Sequence, residues 1–202
     1  MKDNYHDVEA AIGALRNGLP ILLYDNEKEN ECDVVIAAQK ATPEIINFMI
    51  THCKGLVYVA ISAFIAKKLS LELQDVRGSS DFTAFTTSVD YSESTTGISV
   101  VERARTINAL ADPSSTPQSF KTPGHVFPII ARDGGLKIRK GHTESIIFLM
   151  QLANMYEAGA GCEVLDVNGF PLAGSNVFRF AAEHKLICIS VAQLVHIAEN
   201  NI

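Results

Sequence analysis

The sequence predicts a single layered domain of the α/β or α+β class, built around a mixed β-sheet. Its 202 residues fit one domain that is long enough to bury a core. The hydrophobic content of 47% and the charged content of 20% are typical of a soluble globular protein. Short apolar runs alternate with amphipathic segments, without a repeat or a low-complexity tract, which favours strands and helices in mixed order. We therefore expect residues 1–202 to form one domain.

The charge and the apolar runs argue against several classes of protein. The net charge of −6 and the pI near 5.5 argue against a nucleic-acid partner, because phosphate binding needs basic clusters. The longest apolar run, 55–66 (GLVYVAISAFIA), is too short to span a bilayer and is interrupted by Ser62. The segment MKDNYHDVEA contains no apolar stretch, so we expect no signal peptide and a cytoplasmic protein without a membrane contact.

The cysteines agree with a cytoplasmic location. Cys32, Cys53, Cys162 and Cys188 are far apart in the sequence, and none belongs to a C-x-x-C pair. This spacing is typical of reduced cytosolic thiols rather than of a zinc site or a disulfide framework.

The first half of the chain contains alternating predicted helices and strands. Gly18 ends the first helix, and Thr42 and Pro43 have the residue types of an N-cap and a first turn. The apolar runs between the helices are short and are interpreted as buried strands. In order, we predict a helix at 7–17, strands at 20–24 and 34–38, a helix from 42 to 55, a strand at 56–62 and a short helix from 62 towards 71.

The second half follows the same pattern. Ser99 and Glu102 have the spacing of a capping box at a helix start. Residues 111–124 hold three prolines and small polar residues, which predicts a surface loop, and Pro128 indicates an edge strand after it. In order, we predict a strand at 85–90, a loop at 92–97, a helix to 110, the loop at 111–124, an edge strand at 125–131, a helix at 141–155, a strand at 162–167, a helix at 176–185, a strand at 186–190 and a last helix capped by Ser190.

An acidic segment, Tyr24 to Asp33 (YDNEKENECD), carries an acid at every second position. As a strand, it would place its five acids on one face, and like charges this close repel one another unless a cation lies among them. One interpretation is a solvated edge that resists aggregation. The other is a site for a hard divalent cation such as Mg²⁺, which binds carboxylate oxygens and is completed by substrate and water.

The segment 139–144 (RKGHTE) predicts an anion site. Two cations precede a glycine at a predicted helix N-terminus, where backbone N–H groups and the helix dipole attract phosphate. A positively charged loop with an ordinary Thr cap is the alternative. His142 in this segment is a candidate metal ligand, a candidate base or a surface residue.

Three further groups are candidates for chemistry. His125 stands between Gly124 and an apolar strand, where a lone histidine is more often structural than catalytic. The hydroxyl-rich segment 94–99 (STTGIS) precedes a helix, so it either binds phosphate or caps. Glu163 lies beside an apolar strand, which favours a raised pKa and a general-acid role, or else a pairing with a buried cation.

The order of these segments resembles the 3,4-dihydroxy-2-butanone 4-phosphate synthase family of riboflavin biosynthesis. The family patterns are D-x-R-E-N-E-x-D, T-T-G-[IV]-S, R-P-G-H-[VI]-F-P, R-x-G-H-T-E and C-E. Here they correspond, in the same order, to DNEKENECD, TTGIS, TPGHVFP, RKGHTE and GCE. The resemblance runs from about residue 7 to about residue 198, nearly the whole chain.

The resemblance implies a fold and a reaction. It implies a three-layer α/β/α sandwich, a homodimer with active sites near the subunit interface, and conversion of D-ribulose 5-phosphate into L-3,4-dihydroxy-2-butanone 4-phosphate and formate. It also implies a divalent metal, Mg²⁺ or Mn²⁺, with two ions per active site. Metal-stabilised enediolate formation, skeletal rearrangement and loss of C4 each need acid–base groups.

The resemblance also implies roles for residues that match the family patterns. Glu29 and His142 would bind the metal. The catalytic residues would be His125, Glu163, Asp33 and Glu31. The substrate would be held by Lys28, Glu29, Asp33, Thr95, Thr96, Arg139, Lys140, Gly141, His142 and Thr143.

Four positions depart from the family patterns. They are Lys28 where Arg is usual, Cys32 where Gly is common in a loop that closes over substrate, Thr122 in place of Arg, and Lys140 where Gly is frequent. Lysine keeps the charge of arginine but loses its bidentate fork, so substrate affinity is in question more than the reaction type. The alternatives are an impaired paralogue with a structural or regulatory role and a nucleotide- or RNA-binding module, against which the net charge of −6 counts.

Overall fold

The computed structural model of the protein describes residues 6–75 and 83–200. Residues 1–5, which begin the segment for which we expect no signal peptide, lie outside these ranges. In the described ranges the strands are β1 (Ile21–Asp25), β2 (Glu31–Ala37), β3 (Lys54–Ile61), β4 (Val89–Tyr91), β5 (Phe120–Ile130), β6 (Ala158–Val164) and β7 (Ile187–Ser190). They form one sheet with the order β4-β5-β3-β6-β2-β1-β7.

Helices accompany the sheet along the described chain. The α-helices are α1 (Val8–Arg16), α2 (Pro43–Phe48), α3 (Ala63–Lys68), α4 (Val100–Leu110), α5 (His142–Leu152), α6 (Ser175–His184) and α7 (Val191–Asn200). A π-helical turn, Met49–Cys53, continues α2 and ends at Lys54, which has a left-handed backbone. The predicted helix from 42 to 55 is therefore confirmed, although its second half has the wider hydrogen-bonding pattern of a π-helix.

Side-chain caps explain where five of these helices begin. In four of them, a side chain just before the first turn accepts a hydrogen bond from a backbone N–H of that turn. These caps are Asp7 for α1, Thr42 for α2, Ser62 for α3 and Ser99 for α4. At α7 the bonds are reciprocal, since Ser190 Oγ accepts from Gln193 N and Gln193 Oε1 accepts from Ser190 N. The predicted helix starts near 7, 42, 62, 99 and 190 are confirmed.

The sheet is mixed, as predicted. β1 pairs antiparallel with β2 and parallel with β7, β3 pairs parallel with β5, and the pairs β2–β6, β3–β6 and β4–β5 are antiparallel. Successive residues of a strand face opposite sides of a sheet. Because every residue of β1 and nearly every residue of β2 and β6 is buried, both faces of the sheet are covered. This confirms the three-layer α/β/α arrangement.

The acidic segment is a β-hairpin rather than one continuous strand. β1 ends at Asp25 and β2 begins at Glu31, and these two residues are paired across the hairpin. Residues 26–30 form the turn, in which Asn30 has a φ of 54°. The prediction that all five acids share one strand face is therefore wrong. The chain reverses inside the segment, so the acids are distributed over two strands and a turn.

Two predictions about β5 are also wrong. The strand begins at Phe120, so the second part of the predicted loop at 111–124 is strand. It is an inner strand between β4 and β3, and not an edge strand. The C=O of Pro128 accepts from Thr86 N, on the side of β5 that faces away from β3. The missing N–H of Pro128 lies on that same side. Because the short β4 does not extend as far as Pro128, proline is tolerated there.

Other elements differ from the prediction at their ends. β4 covers only the end of the predicted strand at 85–90, while Phe85 and Thr86 form isolated bridges. β6 begins and ends earlier than the predicted strand at 162–167. Among residues 6–75 and 83–200, no helix combines the length and the apolar character that crossing a membrane requires.

Candidate active site

A cavity of about 290 Å³ lies at one end of the sheet, beside the turn of the β1–β2 hairpin. The hairpin, the end of β6, the first half of β3 and the start of α5 contribute to its walls. The predicted site residues that line it are Glu29, Glu31, Asp33, Arg139, His142, Thr143 and Glu163. We call this space the acidic cavity.

The hairpin turn presents Glu29 to the acidic cavity because Asp25 organises the turn. The buried carboxylate of Asp25 accepts from the backbone N–H groups of Glu27 and Lys28 at 3.1 and 3.0 Å, and from that of Glu29 at 3.3 Å. An aspartate that accepts from the backbone of following residues is a common turn device. Asp25 therefore serves the fold of the turn, while Glu27 is exposed to solvent.

Glu29 and His142 are paired inside the acidic cavity. Glu29 Oε2 lies 3.1 Å from His142 Nδ1, and His142 is only 7% exposed. The other ring nitrogen, His142 Nε2, is buried and has no hydrogen-bond partner among the described residues. A buried polar atom without a protein partner is costly, which indicates that a ligand, an ion or a water satisfies it.

These two residues fit a divalent cation. A carboxylate oxygen and an imidazole nitrogen are both metal ligands, and Mg²⁺ uses few protein ligands and fills its other positions with water and substrate. In the part of the chain that the structure describes, no group of three or more His, Cys, Asp or Glu side chains is arranged to hold a metal. A cation here would therefore take most of its ligands from substrate or water.

The crowded acids in the cavity shift the pKa values of its titratable groups. Burial works against the charged form of His142, but the nearby carboxylates, first Asp33 and then Glu29, outweigh it and raise the pKa of His142 to about 9. The hydrogen bond with His142 lowers the pKa of Glu29 in spite of its burial. Without a cation, His142 is thus an imidazolium at neutral pH. The form that binds a metal is the neutral ring, so a bound cation would displace one proton from His142.

The start of α5 supplies a cationic wall. Arg139 Nη1 donates to Glu144 Oε2 at 2.8 Å, and Arg139 Nη2 lies 3.8 Å from Glu29 Oε1. Gly141 is the N-cap, and a Cβ there would lie 2.3 Å from Arg139 Nη1, so glycine lets the guanidinium fold back over the helix start. The N–H groups of the first turn and the guanidinium are the groups that bind an anion.

Asp33 and Glu163 lie side by side on two adjacent strands. They are directly paired in the antiparallel register of β2 and β6. Burial, followed by the charges of Glu31 and Asp33, raises the pKa of Glu163 to about 7. Burial and the charge of Glu29 also raise the pKa of Glu31. Near neutral pH the cavity therefore holds both protonated and ionised carboxyl groups, as general acid–base chemistry requires.

Tyr58 is a cavity residue that the sequence analysis missed. Its hydroxyl donates to Asp33 Oδ2, and burial together with the charge of Asp33 raises the pKa of Tyr58 well above its ordinary value. Tyr58 is paired with Gly161 on β6, where a Cβ would lie 2.6 Å from the phenol Cζ. The phenol therefore passes over Gly161 to reach Asp33 on the next strand. A hydroxyl inside the apolar run LVYVAI is the signal that points to it.

His125, Thr95 and Thr96 do not line the acidic cavity. They belong to a second group, the Asp90 cluster, which consists of residues 90, 95–97, 102 and 125. His125 Nδ1 lies 2.9 Å from Asp90 Oδ2, and Thr95 donates to Glu102 from both its N and its Oγ1. His125 lies on the same face of β5 as the cavity residue Ile129. It comes four residues earlier, roughly 13 Å away along the strand.

Two predicted cations also lie outside the cavity lining. Lys140 Nζ forms an exposed ion pair with Glu199 on α7 at 2.8 Å. Lys28 lies in the hairpin turn, and its charge helps to lower the pKa of Glu29. A larger cavity of about 440 Å³, beside α3 and residues 131–137, contains none of the predicted site residues. The acidic cavity is therefore the candidate site in spite of its smaller volume.

Comparison with known proteins shows the family of this chain. The family model described as 3,4-dihydroxy-2-butanone 4-phosphate synthase matches residues 9–197. The chain belongs to this family. Among the relatives, riboflavin biosynthesis protein RibBA of Bacillus subtilis is 40% identical over 198 residues, which are 97% of this chain and 50% of the relative. The chain thus spans about half the length of the RibBA relatives that it matches.

Solved structures of synthases share the fold. RibBX, a two-domain 3,4-dihydroxy-2-butanone 4-phosphate synthase from A. baumannii, has a TM-score of 0.93 at 36% identity, over 98% of this chain and 59% of that chain. A synthase in complex with two magnesium ions has a TM-score of 0.90 at 31% identity, over 97% and 98% of the two chains. The synthase of Candida albicans has a TM-score of 0.88 at 35% identity, over 96% and 97%. The predicted fold class is confirmed.

Among the departures from the synthase patterns, Cys32 does not line the acidic cavity. It is a fully buried residue of β2, and its Sγ donates to Leu172 O at 3.5 Å. Burial raises the pKa of the Cys32 thiol, which keeps it protonated. Cys32 is therefore a core residue, and the expectation that it adds a side chain to a closing loop is wrong. Thr122 lies on the exposed first part of β5, before a cis peptide bond to Pro123.

Proposed function

We propose that this protein is a 3,4-dihydroxy-2-butanone 4-phosphate synthase, which converts D-ribulose 5-phosphate into L-3,4-dihydroxy-2-butanone 4-phosphate and formate. Family membership and the RibBA relatives support the proposal. The observation that carries it is the composition of the acidic cavity. One space of about 290 Å³ is surrounded by a Glu–His pair, a cationic helix start, and both protonated and ionised carboxyl groups. A phosphorylated ketose needs this combination of a charge stabiliser, a phosphate site and proton carriers.

Glu29 and His142 would hold a divalent cation, Mg²⁺ or Mn²⁺. When bound, such a cation stabilises negative charge on the ketose oxygens while the proton on C3 is removed. The 3.1 Å approach of Glu29 to His142 and the buried Nε2 of His142 support this assignment. The related synthase in complex with two magnesium ions supports a divalent metal, and two ions in each site are part of the proposal.

Arg139 and the first turn of α5 would hold the phosphate group. Glu144 is 2% exposed and fixes the guanidinium of Arg139, so the positive charge is positioned before the substrate arrives. Thr143 contributes from the cavity wall, and Lys28 and Lys140 are proposed as further contacts on their match to the family patterns. Because the phosphate is unchanged in the reaction, its binding energy positions the reacting carbons.

Glu163, Asp33 and Glu31 would carry protons. Glu163, with a pKa of about 7, both donates and accepts near neutral pH. Asp33 is oriented by the Tyr58 hydroxyl and lies opposite Glu163. Removal of the C3 proton, loss of water and release of C4 as formate each require a proton transfer, so several such groups must converge on one cavity.

A homodimer would bring the Asp90 cluster to the acidic cavity. Within one chain, His125, Thr95 and Thr96 stand apart from the cavity, although the family patterns assign them to the same site. A second copy of the chain, with its Asp90 cluster against the cavity, would complete that site. Mixed dimers test this arrangement. His125→Ala and Glu163→Gln should each be inactive alone, but a mixture of the two should regain about a quarter of the wild-type activity, because a mixed dimer contains one site in which both residues are intact. No regain would indicate that each chain builds its own site.

The cysteines support a cytoplasmic location for the enzyme. All four are free thiols buried in the fold. Free thiols are typical of reducing compartments, so we propose that the protein acts in the cytoplasm on a small sugar phosphate.

Formate release from D-ribulose 5-phosphate tests the proposed reaction. We expect formate with Mg²⁺ and its disappearance with EDTA, since the cation stabilises the charge that develops on the ketose. A folded protein that releases no formate would contradict the proposal and favour the impaired paralogue. Lys28→Arg would then be the next variant, because it restores the bidentate fork of arginine.

A further inference from the structure

Asp90 contacts His125 through both of its carboxylate oxygens. Oδ1 accepts from the backbone N–H of His125 at 2.9 Å, and Oδ2 lies 2.9 Å from Nδ1 of the ring. The side chain of Asp90 is 4% exposed, whereas that of His125 is 43% exposed. The carboxylate is therefore fixed inside the fold, while the imidazole, held at one nitrogen, stays open to a substrate.

The neighbours of Asp90 leave its carboxylate little freedom. On β4 it is paired with Lys121 of β5. Gly97 packs against it from the other direction, since a Cβ there would lie 2.1 Å from Asp90 Oδ2, and Gly97 has a φ of 82°. Glycine is required at this position on both counts, because any other side chain would strain the backbone and displace the carboxylate.

The contact with Asp90 sets the tautomer of His125. An ionised carboxylate accepts hydrogen bonds and donates none. A neutral imidazole that faces Asp90 Oδ2 therefore carries its proton on Nδ1, which leaves a lone pair on Nε2. We propose that Asp90 is the positioning residue of His125, which fixes the orientation of the ring and keeps Nε2 as a proton acceptor. The catalytic part of this inference rests on the proposed function, whereas the tautomer does not.

The same carboxylate links His125 to the turn that contains Thr95 and Thr96. Glu102 accepts from Thr95 and from Gly97 N, the latter at 3.1 Å, so this turn is rigid in itself. Through Gly97 the turn rests on Asp90. Asp90 thus links the TTGIS and TPGHVFP segments, together with Lys121 of β5, whose Nζ donates to Ser94 O and Thr95 O. A change at Asp90 affects both segments.

Nitrogen-15 NMR of the wild-type protein with labelled histidine tests the tautomer. The signals of His125 are identified by their loss in His125→Gln. At a pH where the ring is neutral, we expect the proton on Nδ1. A proton on Nε2 in the wild type would overturn the inference without any variant of Asp90.

Asp90→Asn tests the link between tautomer and rate. The amide keeps an acceptor for the His125 N–H and turns an NH₂ donor towards Nδ1, so the ring proton should move to Nε2. We expect kcat for formate release to fall about 100-fold or more with KM nearly unchanged, because the base is lost while substrate contacts remain. Ser88→Ala is the matched control. It removes the acceptor of the Gly124 N–H at 3.1 Å without touching the ring, and should leave tautomer and kcat unchanged.

The outcomes separate this inference from the proposed function. If the wild-type protein releases no formate, but its Nδ1 proton moves in Asp90→Asn, the proposed function is contradicted and the positioning role is supported. A normal kcat or an unchanged tautomer in Asp90→Asn overturns the positioning role. If Asp90→Asn does not fold, the wild-type tautomer decides.

Discussion

The acidic cavity and the Asp90 cluster hold their charged groups in opposite ways. In the acidic cavity, carboxylates from a turn and two strands crowd around His142 and raise its pKa to about 9. In the Asp90 cluster, the carboxylates of Asp90 and Glu102 accept hydrogen bonds from the backbone and side chains of two short segments. The first region concentrates charge that its own residues do not balance. The second satisfies its carboxylates internally.

This difference indicates a division of roles between the two regions. Groups with shifted protonation are suited to bind a cation and to move protons. Carboxylates that already accept several hydrogen bonds are suited to hold other groups in place. Substitutions in the acidic cavity should therefore change the chemistry directly, whereas those of the carboxylates Asp90 and Glu102 should act through the geometry of the groups that they hold.

The largest effect is expected from loss of the proposed metal ligands in the acidic cavity. Glu29→Ala and His142→Ala should each lower Mg²⁺-dependent formate release about 1,000-fold or more, because several kcal/mol of charge stabilisation is lost. The far-ultraviolet circular dichroism should stay that of the wild type. Glu27→Ala, an exposed acid in the same turn, is the control and should keep its activity. Activity near wild type in both ligand variants would refute the metal assignment.

The next largest effect is expected from the two proposed acid–base groups, one from each region. Glu163→Gln and His125→Ala should bind substrate with nearly unchanged affinity but lose turnover on the order of 100-fold, the usual contribution of general acid–base catalysis. Calorimetric titration with D-ribulose 5-phosphate and single-turnover kinetics measure the two quantities separately. If both variants merely bound substrate more weakly, the acid–base assignment would be wrong.

A smaller effect is expected from Tyr58→Phe. It removes the hydrogen bond to Asp33 while the aromatic ring continues to cover Gly161, so kcat should fall about tenfold, which is the value of one hydrogen bond to a charged group. Tyr91→Phe, at a tyrosine outside the lining of the acidic cavity, is the matched control. Equal rates for the two variants would show that Tyr58 only fills space.

The smallest effect is a change in the pH dependence of stability. The pKa of Glu163 is raised from 4.5 to about 7, so its contribution to stability is complete below pH 4.5 and is lost as the pH rises through 7. The contribution of His142 is complete below pH 6.5 and is lost as the pH rises through about 9. Urea unfolding in EDTA should show a decline over both intervals. Glu163→Gln should flatten the first interval only, and an unchanged slope there would contradict the raised pKa.

Most elements of the fold were predictable because their signals are local. Helix starts are indicated by the type of the capping residue and by the residues that follow it, as at Thr42, Ser62, Ser99 and Ser190. The acidic segment was misinterpreted because its period of two continues through a turn. That turn depends on the hydrogen bonds of Asp25 to three following N–H groups, and no periodicity reveals them.

The sequence patterns single out candidate residues for chemistry, but they do not show which of these residues meet. Glu29 and His142 are 113 positions apart and are joined by the packing of α5 against the sheet. His125 was assigned to the same site, yet in one chain it belongs to the Asp90 cluster. Tyr58 was missed because it lies inside an apolar strand, and Asp90 because it lies within a short strand. The partners of their polar groups come from other strands.

The pairing of Tyr58 with Gly161 constrains how this chain can evolve. The phenol occupies the volume that a Cβ at position 161 would need, so a larger residue there is tolerated only after the ring at position 58 has been replaced. That replacement removes the hydroxyl that donates to Asp33. The two positions are therefore epistatic, and descendants of this sequence should keep Gly161 wherever they keep an aromatic ring at position 58.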